Sequence, residues 1–193
     1  MRRTDARERI LRATVVTLAQ DGYAGTTARA IALTGGFAPG VIYYHFTDLD
    51  DLFRETMRFT SSDRMQRYRA EVLGVDSAVE LLARLRVLHA EDVAGGHIAA
   101  VQQLIAAGSA PITEQVAAEL RSWQDLAEEI ITRLVADSPF AAFVPVRPAA
   151  EAALAFYLGM EMIGQIDEEL ARPDSFFDAA AQAAVFFDTF RRM

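Results

Sequence analysis

Residues 26–46 read TTARAIALTGGFAPGVIYYHF. Thr26 or Thr27 offers a hydroxyl N-cap, Ile31 and Ala32 lie on the inner face of the short helix that follows, and Gly35-Gly36 ends it. Pro39 is tolerated in a first helical turn, so a third, very short helix is expected over Pro39–His45. Two short helices joined through a glycine turn make a helix-turn-helix. A DNA major groove ~12 Å wide admits one helix, which must anchor itself inward with apolar groups and show polar or aromatic ones outward. Ile42 and Phe46, four apart, can do the anchoring, leaving Pro39, Gly40, Val41, Tyr43, Tyr44 and His45 for DNA. Tyrosine hydroxyls suit phosphate, and His45 donates from either ring nitrogen according to tautomer. Thr26, Thr27 and Arg29 stand at the start of the preceding helix, where backbone N–H groups and the dipole favour a phosphate.

Working outward, apolar spacing is helical almost everywhere and nowhere alternates as a half-buried strand would, so the fold is all-α with about nine helices. The first should run from Asp5 to Gln20, with Ile10, Ala13, Thr14, Thr17 and Leu18 on one face, Asp5 and Glu8 as a capping box, and Gly22 as its stop. After the helix-turn-helix, Thr47 offers a hydroxyl N-cap with Asp50 three residues on, opening a long helix from Asp48 to Leu73. Helices are then expected at 77–93, 98–108, 112–136, 148–171 and 175–191. The stretch from Ser138 to Pro148 is the longest loop; Phe140, Phe143, Val144 and Val146 make it apolar enough to pack onto the bundle.

The 193 residues are 52% hydrophobic and 24% charged, values of a chain that buries a core. With no cysteine, disulfides, thiolate metal sites and cysteine nucleophiles are excluded. The N-terminus is charged throughout, unlike a signal peptide, and no apolar run approaches the ~18–20 residues of a membrane span, so a cytoplasmic protein without membrane contact is expected. The net charge of −8 hides a division along the chain. Residues 1–70 carry 11 Arg against 8 Asp and Glu, a balance of +3, whereas residues 71–193 carry 8 against 19, a balance of −11. Only the front segment suits a polyanion.

Residues 7–53, RERILRATVVTLAQDGYAGTTARAIALTGGFAPGVIYYHFTDLDDLF, resemble the N-terminal DNA-binding domain of the TetR family of transcriptional regulators. The matching positions are Ile10-Leu11, Gly22-Tyr23, Thr26-Thr27, Ile31-Ala32, Gly36, Gly40, Tyr43 to Phe46 and Leu52. The resemblance implies a helix-turn-helix domain over residues 1–47 and a ligand-binding and dimerisation domain over 48–193. It further implies a homodimeric regulator, usually a repressor, released from a palindromic double-stranded operator by a small-molecule effector. Three positions depart from the family pattern. Ala38 removes a side-chain cap from the recognition helix, a loss of about 1 kcal/mol; Val41 replaces a hydroxyl by an apolar group; Leu49, flanked by Asp48, Asp50 and Asp51, replaces a phosphate-binding Lys. Arg2, Arg3, Arg7, Arg29 and Arg54 are the candidates to replace it.

By the same resemblance, His89, His97, Gln103, Trp123, Phe156, Tyr157 and Met160 are candidates to line a largely apolar effector pocket, though core packing would give much the same residues. In 148–171 a stripe of Ala149, Ala152, Phe156, Met160, Ile163 and Leu170, and in 175–191 one of Phe176, Ala180, Ala183, Phe187 and Phe190, exceed what one core needs. Phe156, Ile163, Phe176, Ala180, Phe187 and Phe190 are the candidate dimer interface. The histidines fit no metal-ligand spacing, and Asp125, Glu128 and Glu129 read as a solvated face. With no nucleophile turn, phosphate loop or dinucleotide fingerprint, neither catalysis nor a cofactor is expected. The alternative is a ligand-independent dimeric DNA-binding or protein-interaction module.

Overall fold

The computed structural model describes residues 3–136, 138–139, 141–167 and 172–191. Among them are nine α-helices and no strand: α1 (Arg3–Gly25), α2 (Ala28–Gly35), α3 (Gly40–His45), α4 (Leu49–Val72), α5 (Ala78–Ala94), α6 (His97–Ala107), α7 (Ala110–Val135), α8 (Val146–Ile166) and α9 (Pro173–Arg191). The chain is all-α, as its periodicity predicts. It divides into two packing units, one holding the chain up to Asp63 with Asp92–Glu119, the other Arg64–Glu91 with the chain from Leu120 onward. This line of packing differs from the functional boundary expected at 47/48.

In the first unit α1 packs on α2 and on α6. Ile10, Leu11 and Ala13 bury against Ile31 of α2, Ile42 of α3, Phe46 and Leu52. Thr14 and Thr17 are fully buried as well; their hydroxyls donate to Ile10 O and Ala13 O at 2.8 Å, so neither leaves a polar group unsatisfied in the core. Gly22 does not end α1. It breaks the helix at φ 69° and ψ 177°, and one more helical turn runs on to Gly25. Tyr23 N–H, freed by the break, donates to Gln103 Oε1 of α6 at 3.1 Å. Close approach of α6 needs Gly96, whose Cβ would lie 2.8 Å from that of Ala19, and whose φ of 70° disfavours any side chain.

Helix ends differ from expectation for identifiable reasons. Helix α1 starts at Arg3, so Asp5 lies inside the first turn and Glu8 pairs with Arg12 at 2.7 Å instead of closing a capping box. The cap of α4 is shifted by one residue: Asp48 Oδ1 accepts from Asp51 N at 2.7 Å, and Thr47 N donates to Asp51 Oδ2 at 3.1 Å. A carboxylate accepts more strongly than a hydroxyl, and Asp48–Asp51 makes the reciprocal pair. Helices α8 and α9 each begin two residues before the expected start, because Pro148 and Pro173 fit a first turn that needs no N–H from them. The loop before α8 does not bury its aromatic residue: Phe143 is 82% exposed, while Phe140 lies outside the described residues.

The second unit is built on Tyr68 and Val72 of α4, Leu81 and Leu88 of α5 and Leu126 of α7, extended by Trp123, Ile130 and Leu134. Helix α9 docks there through Asp188, whose carboxylate accepts from Ser77 Oγ at 2.7 Å, Ala78 N at 2.9 Å and Val79 N at 3.2 Å. Those are donors of the first turn of α5, which have no intrahelical acceptor. Arg86 of α5 reaches back to Asp178 and to Asp174 O, its guanidinium over the Phe177 ring. Since three donors depend on one carboxylate, Asp188→Ala should lower unfolding free energy by about 2 kcal/mol, and Asp188→Asn by less. Urea unfolding of the two variants beside the wild type measures this.

Candidate functional site

Helix α3 is fixed from below and exposed above. Ile42 and Phe46 are buried in the first core, and Phe46 N–H closes the helix onto Ile42 O. Tyr43 and Tyr44 stand 57% and 72% exposed on the other side. His45 is half-buried, its ring meeting Tyr44 edge-on at 5.0 Å and Phe46 at 6.4 Å. Pro39 and Gly40 are exposed; Pro39 occupies the cap position with no side-chain acceptor, as Ala38 before it implies. Val41 turns partly inward against the core. The three residues at the head of α2 divide. Thr27 is its N-cap, accepting from Ala30 N at 3.2 Å, and stays exposed; Thr26 is buried with its hydroxyl donating to Gly22 O at 2.6 Å. Arg29 is exposed and has no hydrogen-bond or ion-pair partner among the described residues.

The other front-segment arginines are engaged. Arg7 pairs with Glu55 and lies over the Phe46 ring, Arg54 with Asp51 at 3.5 Å, and Arg58 with Glu55. Arg2 lies outside the described residues, as does the side chain of Arg3. At the head of α4, Leu49 packs against the core, and the amides of Thr47 and Asp51 are taken by the Asp48–Asp51 pair. The surface carrying Tyr43, Tyr44 and His45 therefore presents aromatic hydroxyls and an imidazole, with Arg29 as the free cation described nearby in sequence.

The candidate effector residues fall into both packing units. His97 and Gln103 of α6 belong to the first, Gln103 holding Tyr23 of α1. His89, Trp123, Phe156, Tyr157 and Met160 belong to the second. There Tyr157 gathers several partners: its hydroxyl lies 3.2 Å from Arg64 Nη2 and 3.2 Å from Tyr68 Oη, and its ring meets His89 edge-on at 5.2 Å. Trp123 meets Tyr68 at 5.0 Å and carries the Arg64 guanidinium 4.8 Å above its ring. Met160 is buried, whereas Phe156 is exposed and stacks with Phe176 at 4.2 Å. Arg64 and Tyr68 were missed by sequence reasoning, because an arginine in a charged stretch reads as solvated unless the neighbouring helices are known. The cluster is aromatic and polar.

Of the expected dimer residues, Phe156, Ile163, Phe176 and Phe190 are exposed, and Ala180 and Phe187 are half-buried. Met162, Ile166, Val185 and Phe186 extend the exposed apolar surface of α8 and α9, with Ile166 at 77% and Phe186 at 68%. Leu170 lies outside the described residues. Among the described residues no group of three or more His, Asp or Glu is placed to hold a metal, and no helix is long and apolar enough to cross a membrane. Asp125 is exposed, Glu129 pairs with Arg69 at 2.8 Å, and Glu128 lies 3.8 Å from Arg147, so the two glutamates face arginines instead of one another.

Residues 10–56 match the family model described as bacterial regulatory proteins, tetR family. Over 60 residues the chain is 35% identical to the HTH-type transcriptional regulator BetI of Paraburkholderia xenovorans (strain LB400), a match spanning 31% of this chain and 31% of that protein. A transcriptional regulator from Saccharomonospora viridis, solved with choline, superposes with a TM-score of 0.78 at 20% identity, covering 93% of this chain and 95% of that one. The regulator FadR of Bacillus subtilis, solved with stearoyl-CoA, superposes with a TM-score of 0.76 at 18% identity, covering 92% and 97%. The two structural likenesses establish the fold over nearly the whole chain; the matched segment Ile10–Thr56 contains α2, α3 and the residues that anchor them, and it is that segment which is similar to the tetR family of bacterial regulatory proteins.

Proposed function

We propose that the chain is a homodimeric repressor of transcription whose α3 helices read a palindromic operator and whose second unit binds a small-molecule effector that releases it. The observation that carries this reading is α3 itself. This six-residue helix exposes the rings of Tyr43 and Tyr44, and its anchors Ile42 and Phe46 leave that face free to enter a groove. Thr27, Pro39, Gly40 and Val41 border the same surface, whereas Thr26 acts from within as a structural residue. Effector binding is supported by the fold shared with regulators solved with choline and with stearoyl-CoA. The groups around Tyr157 would give such a ligand aromatic faces and hydrogen-bonding partners. Dimerisation is supported by the exposed apolar side chains of α8 and α9, since a surface of that kind is stable when a second copy covers it.

Three outcomes follow for measurement. Tyr43→Ala and His45→Ala should each weaken binding to a duplex selected from a random pool by roughly tenfold while the fold is kept, and Arg29→Ala should weaken all duplexes alike and reduce the salt slope by about 0.9. Titrations across a range of salt read both; unchanged affinity in the tyrosine and histidine variants would remove α3 from the interface. Phe186→Glu, on the more exposed side of α9, should lower the oligomeric mass in light scattering and abolish tight duplex binding together, because two α3 helices about one DNA turn apart, ~34 Å, are needed to read both half-sites. Trp123 is the single tryptophan. Screening of small molecules should find one that changes its fluorescence, raises Tm saturably and lowers duplex affinity; an effector that raises Tm in the Tyr157→Ala variant as strongly as in the wild type would place the site elsewhere.

A further inference from the structure

The turn between α2 and α3 is held from outside by one residue of α1. Arg9 Nε donates to Gly35 O at 2.7 Å, and Arg9 Nη2 donates to Gly36 O at 2.7 Å. Its guanidinium also lies 5.9 Å from the centre of the Phe37 ring, the next residue along. Three consecutive residues of the turn thus meet one planar group. Gly36 adopts φ 65°, its N–H donates to Leu33 O at 3.3 Å and that of Phe37 to Ala32 O at 3.0 Å, which closes the C-terminus of α2. That closure uses the carbonyls within the last helical turn. The carbonyls of Gly35 and Gly36 point away from α2, where the negative end of the helix dipole also lies, and a bidentate cation there answers both. The fit is close: a Cβ on Gly36 would lie 3.1 Å from Arg9 Nη2, and one on Gly35 would run into the Phe37 ring.

From these contacts we infer that Arg9 is a positioning residue for operator recognition: it fixes the direction in which the chain leaves α2, and through it the setting of α3. Helix α3 has no side-chain cap of its own and is six residues long, so little within it defines its entry. Ile42 and Phe46 fix its depth against the core, while the Arg9 clamp fixes the peptide planes that lead into it. Adjacent on α1, Ile10 and Leu11 are fully buried, so the clamp is mounted on the rigid part of the unit. Arg9 is exposed, and its role is separable from a direct phosphate contact by charge and by salt dependence.

The inference rests on the reading of α3 as the DNA-contacting helix, and the test separates the two. Duplexes selected from a random pool by the wild-type protein serve as probe, beside scrambled duplexes of the same length. Arg9→Met should bind the selected duplex about tenfold more weakly and discriminate less between selected and scrambled, with the salt slope unchanged. Arg9→Lys keeps the charge but cannot reach both carbonyls, and should restore affinity only in part. In the DNA-free Arg9→Lys protein the amides of Val41 and Ile42 should exchange faster than in the wild type, which supplies the same comparison where Arg9→Met does not fold. A fall in salt slope by about one contact would make Arg9 a phosphate ligand and overturn the positioning role. Unchanged discrimination and exchange in folded variants would overturn it as well. A wild-type protein that enriches no duplex would remove the DNA-binding reading itself, and the clamp's purpose with it.

Discussion

The first unit depends on α1 being buried on two sides at once. Ile10, Leu11 and Ala13 form the floor beneath α2 and α3, and Ala19 and Tyr23 meet α6. A helix in that position has few turns free for polar groups, yet Thr14 and Thr17 are completely buried. They are admitted because each hydroxyl bonds the carbonyl one turn back, a pattern repeated by Thr56 on Leu52 O at 2.8 Å. Hydroxyls satisfied within their own helix make no demand on a neighbour. Thr17 also meets Thr34 of α2, hydroxyl to hydroxyl at 3.0 Å, so α2 docks there through a polar contact as well as apolar ones.

Charge in the front segment acts mostly within the fold. Residues 1–70 hold a balance of +3, which suggests a basic surface, but Arg7, Arg9, Arg12, Arg54 and Arg58 are all bonded to carboxylates or backbone carbonyls. Exposed pairs of this kind contribute about 0–1 kcal/mol each, so they serve geometry more than stability. At the head of α4 the Asp48–Asp51 pair occupies amides that could otherwise have faced an anion. An interface centred on α3 would accordingly draw its specificity from the two tyrosines and the histidine, and only a small part of its affinity from counterion release.

The helices, the helix-turn-helix and its anchors Ile42 and Phe46 were legible in the sequence, because a 3.6-residue period and glycine or proline punctuation are local signals. What escaped depends on contacts distant in sequence. That Gly22 bends α1 without ending it follows from Gln103, 81 positions away, accepting the freed Tyr23 N–H next to it. Thr26 and Thr27 are equivalent as cap candidates until the core shows that one of them is inside. Gln103 and His97 look like pocket residues on an amphipathic helix, and only the packing of α6 on α1 assigns them to the first unit. Arg64 gave no signal, since its partners Tyr157 and Trp123 come from α8 and α7.

The rotation of α9 about its axis is the sharpest case. Phe176, Phe177, Val185, Phe186, Phe187 and Phe190 make it apolar around most of its circumference, so periodicity favours no single inward face. Asp188 removes the ambiguity. Its carboxylate must meet the amides of Ala78 and Val79, and once it does, the positions one, two and three turns before it on the same face, Ala184, Ala181 and Phe177, turn inward too. Phe177 and Ala184 are buried and Ala181 is half-buried, while Val185 and Phe186 are carried to the exposed side and Phe187 is left between. A rotation by one residue would turn Phe187 fully inward at the cost of leaving a carboxylate unpaired and three donors at the head of α5 unsatisfied. Burying one aromatic ring gains about 2–3 kcal/mol, which is no more than that loss, so a single charged residue decides which aromatic side chains the helix exposes.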